Sequence, residues 1–99
     1  MDKVKRLISL MSEAQSLMNE INDESDATGV SIIGIDLFFD PEHEPPGVHL
    51  QSGIKKISGD APISRKKIYS CKFYDSFENV SYIDGIRLFE LDHEKAAAV

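Results

Sequence analysis

Acidic and histidine side chains cluster between Asp40 and Gly47 in this 99-residue sequence. The stretch reads Asp-Pro-Glu-His-Glu-Pro-Pro-Gly, and its Asp40, Glu42, His43 and Glu44 are of the types that bind divalent cations. Its three prolines exclude regular structure and splay neighbouring side chains, and the spacing matches no defined metal-binding loop. We therefore expect an exposed acidic connection, with no metal or cofactor.

Other residues capable of proton transfer or nucleophilic attack are scattered along the chain. His49 lies between Val48 and Leu50 on a predicted strand, where a histidine most often faces solvent. Cys71 alternates with aromatic residues, which predicts a small core residue and not a nucleophile. The sequence has no nucleophile elbow, phosphate-binding glycine loop or dinucleotide fingerprint. We expect no enzymatic activity; the alternative is a small metal-dependent factor using His43 or His49.

The charge of the chain is unevenly distributed. Residues 1–54 carry ten acids and three bases, residues 55–67 one acid and five bases, and residues 68–99 six acids and three bases, for a net −6. This balance argues against broad nucleic-acid binding and favours a basic protein partner. The acidic surface expected to bind it consists of Asp23, Glu24, Asp26, Asp40, Glu42 and Glu44.

The basic segment offers a further alternative, a nucleic-acid-binding factor. Its cationic side chains are Lys55, Lys56, Arg65, Lys66 and Lys67. No aromatic residue within the segment is present to stack on bases, so direct nucleic-acid contact is the less favoured interpretation. A charged sheet edge that resists aggregation accounts for the same residues.

Length and composition favour a single domain spanning residues 1–99. The single cysteine excludes an internal disulfide, and no apolar run is long enough for a signal peptide or a membrane helix. We expect a soluble, cytoplasmic protein.

The first element is an amphipathic helix predicted over residues 2–22. Its apolar residues recur at intervals of three and four: Val4, Leu7, Met11, Ala14, Met18 and Ile21. Three such heptads are also compatible with pairing to a second copy of the helix. We prefer a helix laid on one face of the sheet formed by the strands that follow, because those strands need a cover.

The strand predicted over Val30–Asp40 is apolar on both sides, which predicts a place in the middle of a sheet. Further strands are predicted at Val48–Ile57 and Ile68–Tyr74, followed by a hairpin around Asp84-Gly85. The expected fold is α+β, with the helix packed on a four- to five-stranded antiparallel meander sheet over residues 30–91.

One helix covers only one face of such a sheet, so apolar residues should remain on the other. If Ile33, Ile35, Leu37 and Phe39 face the helix, the far face holds Ile32 and Phe38, together with some of Ile68, Tyr74 and one of the two sides of the last hairpin. An uncovered apolar face of this kind marks an interface, here with a second copy or another protein.

The chain as a whole resembles the small accessory proteins of bacteriophages and prophages. The resemblance lies in the acidic composition, the amphipathic opening helix and a meander ending in Val80-Ser-Tyr-Ile-Asp-Gly-Ile-Arg-Leu-Phe-Glu-Leu91. Several such proteins, including anti-CRISPR proteins, are acidic inhibitors that occupy the nucleic-acid site of a host enzyme. The resemblance implies an inhibitor of a host nuclease or another nucleic-acid-binding protein, although the basic segment departs from a uniformly acidic DNA mimic.

Overall fold

The computed structural model describes residues 1–37 and 45–95, which form three helices and five strands. In chain order the elements are α1 (Asp2–Asp23), α2 (Ser25–Thr28), β1 (Ser31–Asp36), β2 (Gly47–Ser52), α3 (Ile54–Ser58), β3 (Ser64–Ser70), β4 (Tyr74–Ile83) and β5 (Ile86–Lys95). The predicted opening helix is therefore confirmed to within one residue.

The strands form one mixed sheet in the order β1-β2-β5-β4-β3. Three pairs are antiparallel, whereas β2 and β5 run parallel. The α+β class is confirmed, but an antiparallel meander describes only part of the sheet. The parallel pair arises because the chain leaves β2 through α3 and builds β3 and β4 before β5 returns beside β2; parallel strands require such a crossover.

The strand predicted at the centre of the sheet lies at its edge, which corrects the sequence-based prediction. Among the described strands, β1 is hydrogen-bonded only to β2. Ile33, Ile35 and Leu37 are 57%, 42% and 68% exposed. An apolar run shows that a strand has surface to bury, but it does not specify which element buries it.

The core lies on one face of the sheet, between β2, β5 and α3. Leu50, Ile54 and Leu88 are buried at its centre. Gly53 adopts a φ of 96° and turns the chain out of β2 into α3, which brings Ile54 into the core. The strand predicted over Val48–Ile57 therefore ends at Ser52, and its last residues form a helix instead.

Helix α1 does not cover the sheet, contrary to the prediction. None of its 22 residues is buried, and within the described chain it packs chiefly against the edge strand β1. The short helix α3 occupies the covering position instead. The radius of gyration is 16.1 Å, compared with about 13 Å for a compact chain of this length.

The predicted hairpin is confirmed. Asp84 and Gly85 join β4 to β5 with φ values of 51° and 78°, the two positive values that a tight two-residue turn requires. Strand β4 already begins at Tyr74, where the preceding strand was predicted to end. The strand predicted at Ile68–Tyr74 lies at Ser64–Ser70, which leaves Cys71 in the following turn, only partly buried.

Candidate protein-interaction surface

A row of apolar side chains runs along helix α1 and remains half exposed. With 3.6 residues per turn, its members cover roughly half of the helix circumference, with Leu10 and Leu17 on one flank and Ile8 on the other. They are Val4, Leu7, Ile8, Leu10, Met11 and Leu17, each 50–58% exposed. We call these six residues the α1 stripe. A contiguous apolar surface of this kind is typical of a protein interface, unlike apolar residues scattered singly.

Asn22 attaches the carboxyl-terminal end of α1 to the sheet. Its side-chain oxygen accepts a hydrogen bond from the backbone N–H of Ile32 at 2.7 Å, and its side-chain nitrogen donates to the Ile32 carbonyl at 2.9 Å. The amide of Asn22 thus replaces the peptide group of a neighbouring strand at this position of the edge strand β1. The helix is held beside the edge of the sheet and not across its face.

A groove of about 520 Å³ separates α1 from β1. Its lining is predominantly apolar and consists of Met11, Ala14, Gln15, Met18, Ile33, Gly34, Ile35 and Leu37. The side of β1 that was predicted to face the helix therefore does lie next to it, for the residues described. The groove remains open between them, so the two elements leave apolar surface available to a third.

The charges on α1 oppose its macrodipole. The first ten residues carry the basic Lys3, Lys5 and Arg6 and the acidic Asp2, whereas the carboxyl-terminal end of α1 carries the acidic Glu20 and Asp23, with Glu24 directly after it and no basic residue in the last turn. The amino terminus of a helix favours negative charge and its carboxyl terminus positive charge, so this arrangement destabilises the isolated helix.

The predicted acidic surface is only partly described. Asp23, Glu24 and Asp26 lie together and exposed where α1 meets α2. Asp40, Glu42 and Glu44 lie outside the described residues. The three described carboxylates follow the part of α1 that lines the groove, which ends at Met18.

The predicted apolar far face does not form one surface. Ile32 pairs with Leu50 and packs against the core, whereas Tyr74 pairs with Lys95 and lies on the opposite face of the sheet. There Tyr74 contacts Tyr69 and His93. Phe38 is outside the described residues. Exposed apolar side chains are found on α1 and along β1, and also on the face of the sheet that carries Tyr74, where Tyr69, Tyr82 and Leu91 are 54%, 57% and 43% exposed.

The basic segment is divided between two faces and two elements. Lys55 and Lys56 lie on α3, and the Lys56 ammonium donates to the Thr28 carbonyl at 2.7 Å. Along β3, Arg65 and Lys67 lie over the Phe77 ring on one face of the sheet. Strand alternation places Lys66 on the other face. The five side chains therefore do not lie on one surface, although Lys55, Lys56 and Arg65 line the same groove.

Carboxylates pair with the cations on β3. The Arg65 guanidinium lies 2.5 Å from Asp92 and 2.7 Å from Glu94, and its hydrogen bond to Asp92 lowers the pKa of that carboxyl group. The Ser70 hydroxyl at 2.6 Å, and then the nearby charge of Lys67, lower the pKa of Asp75. A second groove, of about 580 Å³, is lined by the basic Arg65, Lys55 and Lys56 and by the acidic Glu90 and Asp92.

The two described histidines, His49 on β2 and His93 on β5, each contact an aromatic ring. His49 stacks on Phe89 with ring centroids 4.5 Å apart, and its Nε2 is buried without a hydrogen-bond partner among the described residues. His93 Nδ1 shares a 2.7 Å hydrogen bond with the Ser76 hydroxyl, but Ser76 is only 6% exposed. Within 1–37 and 45–95 no three His, Cys, Asp or Glu side chains group around a metal position. His43 lies outside those ranges.

Comparison of the chain with protein-family models, with curated proteins and with solved structures found no match. Among the helices in the described ranges, none combines the length and apolar composition needed to cross a membrane.

Two signals in the sequence point to the exposed helix. Leu10 and Leu17 are apolar although they lie outside the predicted three-and-four repeat that starts at Val4 and ends at Ile21. The charges of the helix also run against its dipole. Neither feature is required of a helix that only covers a sheet.

Proposed function

We propose that this chain is a non-enzymatic protein–protein interaction module that binds through helix α1. The supporting observation is the α1 stripe, six large apolar side chains half exposed on a helix with no buried residue. Binding a protein surface would remove this stripe from water, and each fully buried side chain of this size contributes about 1.5–3 kcal/mol.

The charge pattern of α1 defines the partner surface. A complementary partner is apolar along its centre, acidic beside the amino-terminal end of α1 and basic beside its carboxyl-terminal end. Such a surface also offsets the unfavourable dipole arrangement, since opposite charges would then lie next to both ends of the helix. The open groove between α1 and β1 supplies additional apolar contact.

Amide hydrogen exchange of α1 tests this function. We expect its amides to be protected in the assembled protein, whether assembled at high concentration or recovered by affinity capture from the native host. The variant Leu10→Glu, within the α1 stripe, should lose that protection, whereas Ser12→Glu on the polar side should keep it. Unprotected exchange of wild-type α1 under both conditions contradicts the proposal.

A second candidate function is a phage-type inhibitor or accessory factor that presents an acidic surface to a host nucleic-acid-handling protein, as anti-CRISPR proteins do. It is supported by the pairing of Arg65 and Lys67 with carboxylates of their own sheet. Asp23, Glu24 and Asp26, by contrast, lie at a helix end whose last turn has no basic residue. Binding of this type depends on charge and weakens with salt.

Salt and charge reversal test this second candidate. A partner captured through the acidic end of α1 should be released as salt is raised, and Asp23→Lys with Asp26→Lys should abolish capture. For a captured nuclease, stoichiometric addition of the purified chain should inhibit cleavage. A partner whose affinity is independent of salt, or a nuclease that cleaves normally in the complex, rules out this version.

A further inference from the structure

The apolar residues of α1 form a seam that is complementary to itself. Two sets recur with a spacing of seven residues, one comprising Val4, Met11 and Met18 and the other Leu7, Ala14 and Ile21. In an antiparallel helix pair the first set of one helix packs against the second set of the other. Residue 4 then lies opposite residue 21, residue 7 opposite 18, and residue 11 opposite 14.

We propose that the partner of α1 is a second copy of this chain, bound by antiparallel pairing of the two α1 helices. This inference rests on the proposed function and names the occupant of its binding surface. The pairing is two-fold symmetric, so every contact occurs twice.

Charge selects the antiparallel orientation. Antiparallel pairing brings the basic first turns of one helix beside the acidic last turns of the other. In the register given by the seam, Lys3 lies beside the partner's Glu24, and Leu10 lies beside the partner's Leu17. Parallel pairing would instead place like charges together at both ends, which costs association free energy. The two helix dipoles also oppose each other when antiparallel.

The groove beside α1 fits the same occupant. Met18 and Gln15 line the groove together with Ile33 and Leu37 of the β1 segment. In the antiparallel register the partner's Leu7 lies opposite Met18, and the partner's Ile8 lies next to Gln15. The amino-terminal half of the second helix therefore covers the groove, and the exposed apolar residues of β1 are buried in the same interface.

Sedimentation equilibrium of the purified full chain tests self-association. We expect a reversible dimer for the wild type and for Ser12→Glu. Leu10→Glu places two charges in the apolar contact with Leu17, so it should weaken the dimer about 100-fold or more. A wild type that stays monomeric at all concentrations overturns the proposal, as does a Leu10→Glu variant that dimerises as tightly as Ser12→Glu.

Reversing the charges at Lys3 and Glu24 tests the register of the two paired helices. Lys3→Glu and Glu24→Lys should each raise the dissociation constant about threefold to tenfold at low salt, because each places like charges together at both ends of the interface. The double variant restores opposite charges and should return to within about twofold of wild type. Additive weakening in the double variant contradicts this register.

Spin labels test the orientation in a Cys71→Ser background, which removes the native cysteine. In the antiparallel dimer, labels at Asp2→Cys lie about 30 Å apart along the helix axis, whereas labels at Ser12→Cys lie nearly level. Level labels at both positions indicate parallel pairing and overturn the proposal. A monomeric wild type whose α1 is nonetheless protected after capture from the host overturns self-association alone and leaves the proposed function in place.

Discussion

Asn22 fixes the carboxyl-terminal end of helix α1 beside the sheet, because its side chain hydrogen-bonds to the backbone of Ile32. Its two hydrogen bonds to Ile32 occupy both backbone groups of one residue on the edge strand. A neighbouring strand would satisfy the same groups, so Asn22 also blocks edge-to-edge pairing at this point. A side chain of this kind is an ordinary polar residue in the sequence, and only the fold reveals its role.

Replacing Asn22 with alanine should destabilise the protein by about 1–2 kcal/mol, the value of two partly buried hydrogen bonds. Asn19→Ala is the matched control, because Asn19 lies on the same helix and its described hydrogen bond is an exposed one to Gln15. Urea denaturation measures both free energies of unfolding. Equal effects of the two substitutions would show that the contact with Ile32 contributes nothing specific.

The ion pair between Arg65 and Asp92 predicts a dependence of stability on acid. Hydrogen bonding to Arg65 holds the pKa of Asp92 below its ordinary value of 3.8. A carboxyl group whose pKa is lower in the folded state stabilises the fold above its unfolded pKa and loses that contribution as pH falls through the folded value. Both side chains are more than one third exposed, which keeps the effect small.

Asp92→Asn should therefore lower the free energy of unfolding at pH 7. Below pH 3.8 the free energy of unfolding of the variant should fall less with decreasing pH than that of the wild type. Urea denaturation at pH 7 and at pH 2.5–3.5 measures the change, with the exposed Asp60→Asn as control. The same loss at every pH would show that the carboxylate charge is not what Arg65 stabilises.

At the scale of elements, local sequence patterns correctly predicted the structures that depend only on residues close together in the sequence. The spacing in α1 specified the helix, and the Asp84-Gly85 dipeptide specified the hairpin. Partners distant in sequence could not be predicted this way. The parallel pairing of β2 with β5 displaces β1 to the edge, and the turn at Gly53 supplies a short covering helix, so α1 is not needed over the core.

Gly53 is the residue on which that arrangement depends. A Cβ atom there would lie 2.8 Å from the Gly29 carbonyl oxygen and 2.9 Å from Val30 Cα, at a φ of 96°. Gly53→Ala should therefore destabilise the protein by about 3 kcal/mol, from backbone strain and crowding together. Gly85→Ala is the control for strain alone, because its φ is 78° with open space around the added atom, and it should cost about 1 kcal/mol. Thermal unfolding distinguishes the two, and equal shifts would contradict crowding at Gly53.

For the whole molecule, the stability of the sheet does not depend on the burial of α1. The buried core of Leu50, Ile54 and Leu88 contains no side chain from α1, and the helix meets the described sheet mainly at its edge. The sheet should thus remain folded when α1 opens, whereas α1 depends on what covers its stripe.

Because α1 and the sheet open separately, the amides of α1 and those of β4 and β5 should exchange hydrogen at different rates. If opening of α1 follows dissociation of a dimer, the monomer fraction falls about threefold for each tenfold rise in protein concentration, and exchange of the α1 amides should slow by the same factor. In Leu10→Glu the α1 amides should exchange fast at every concentration, while those of β4 and β5 stay protected, because their core is intact. Loss of protection in β4 and β5 of Leu10→Glu would show instead that the sheet cannot fold without a covered α1.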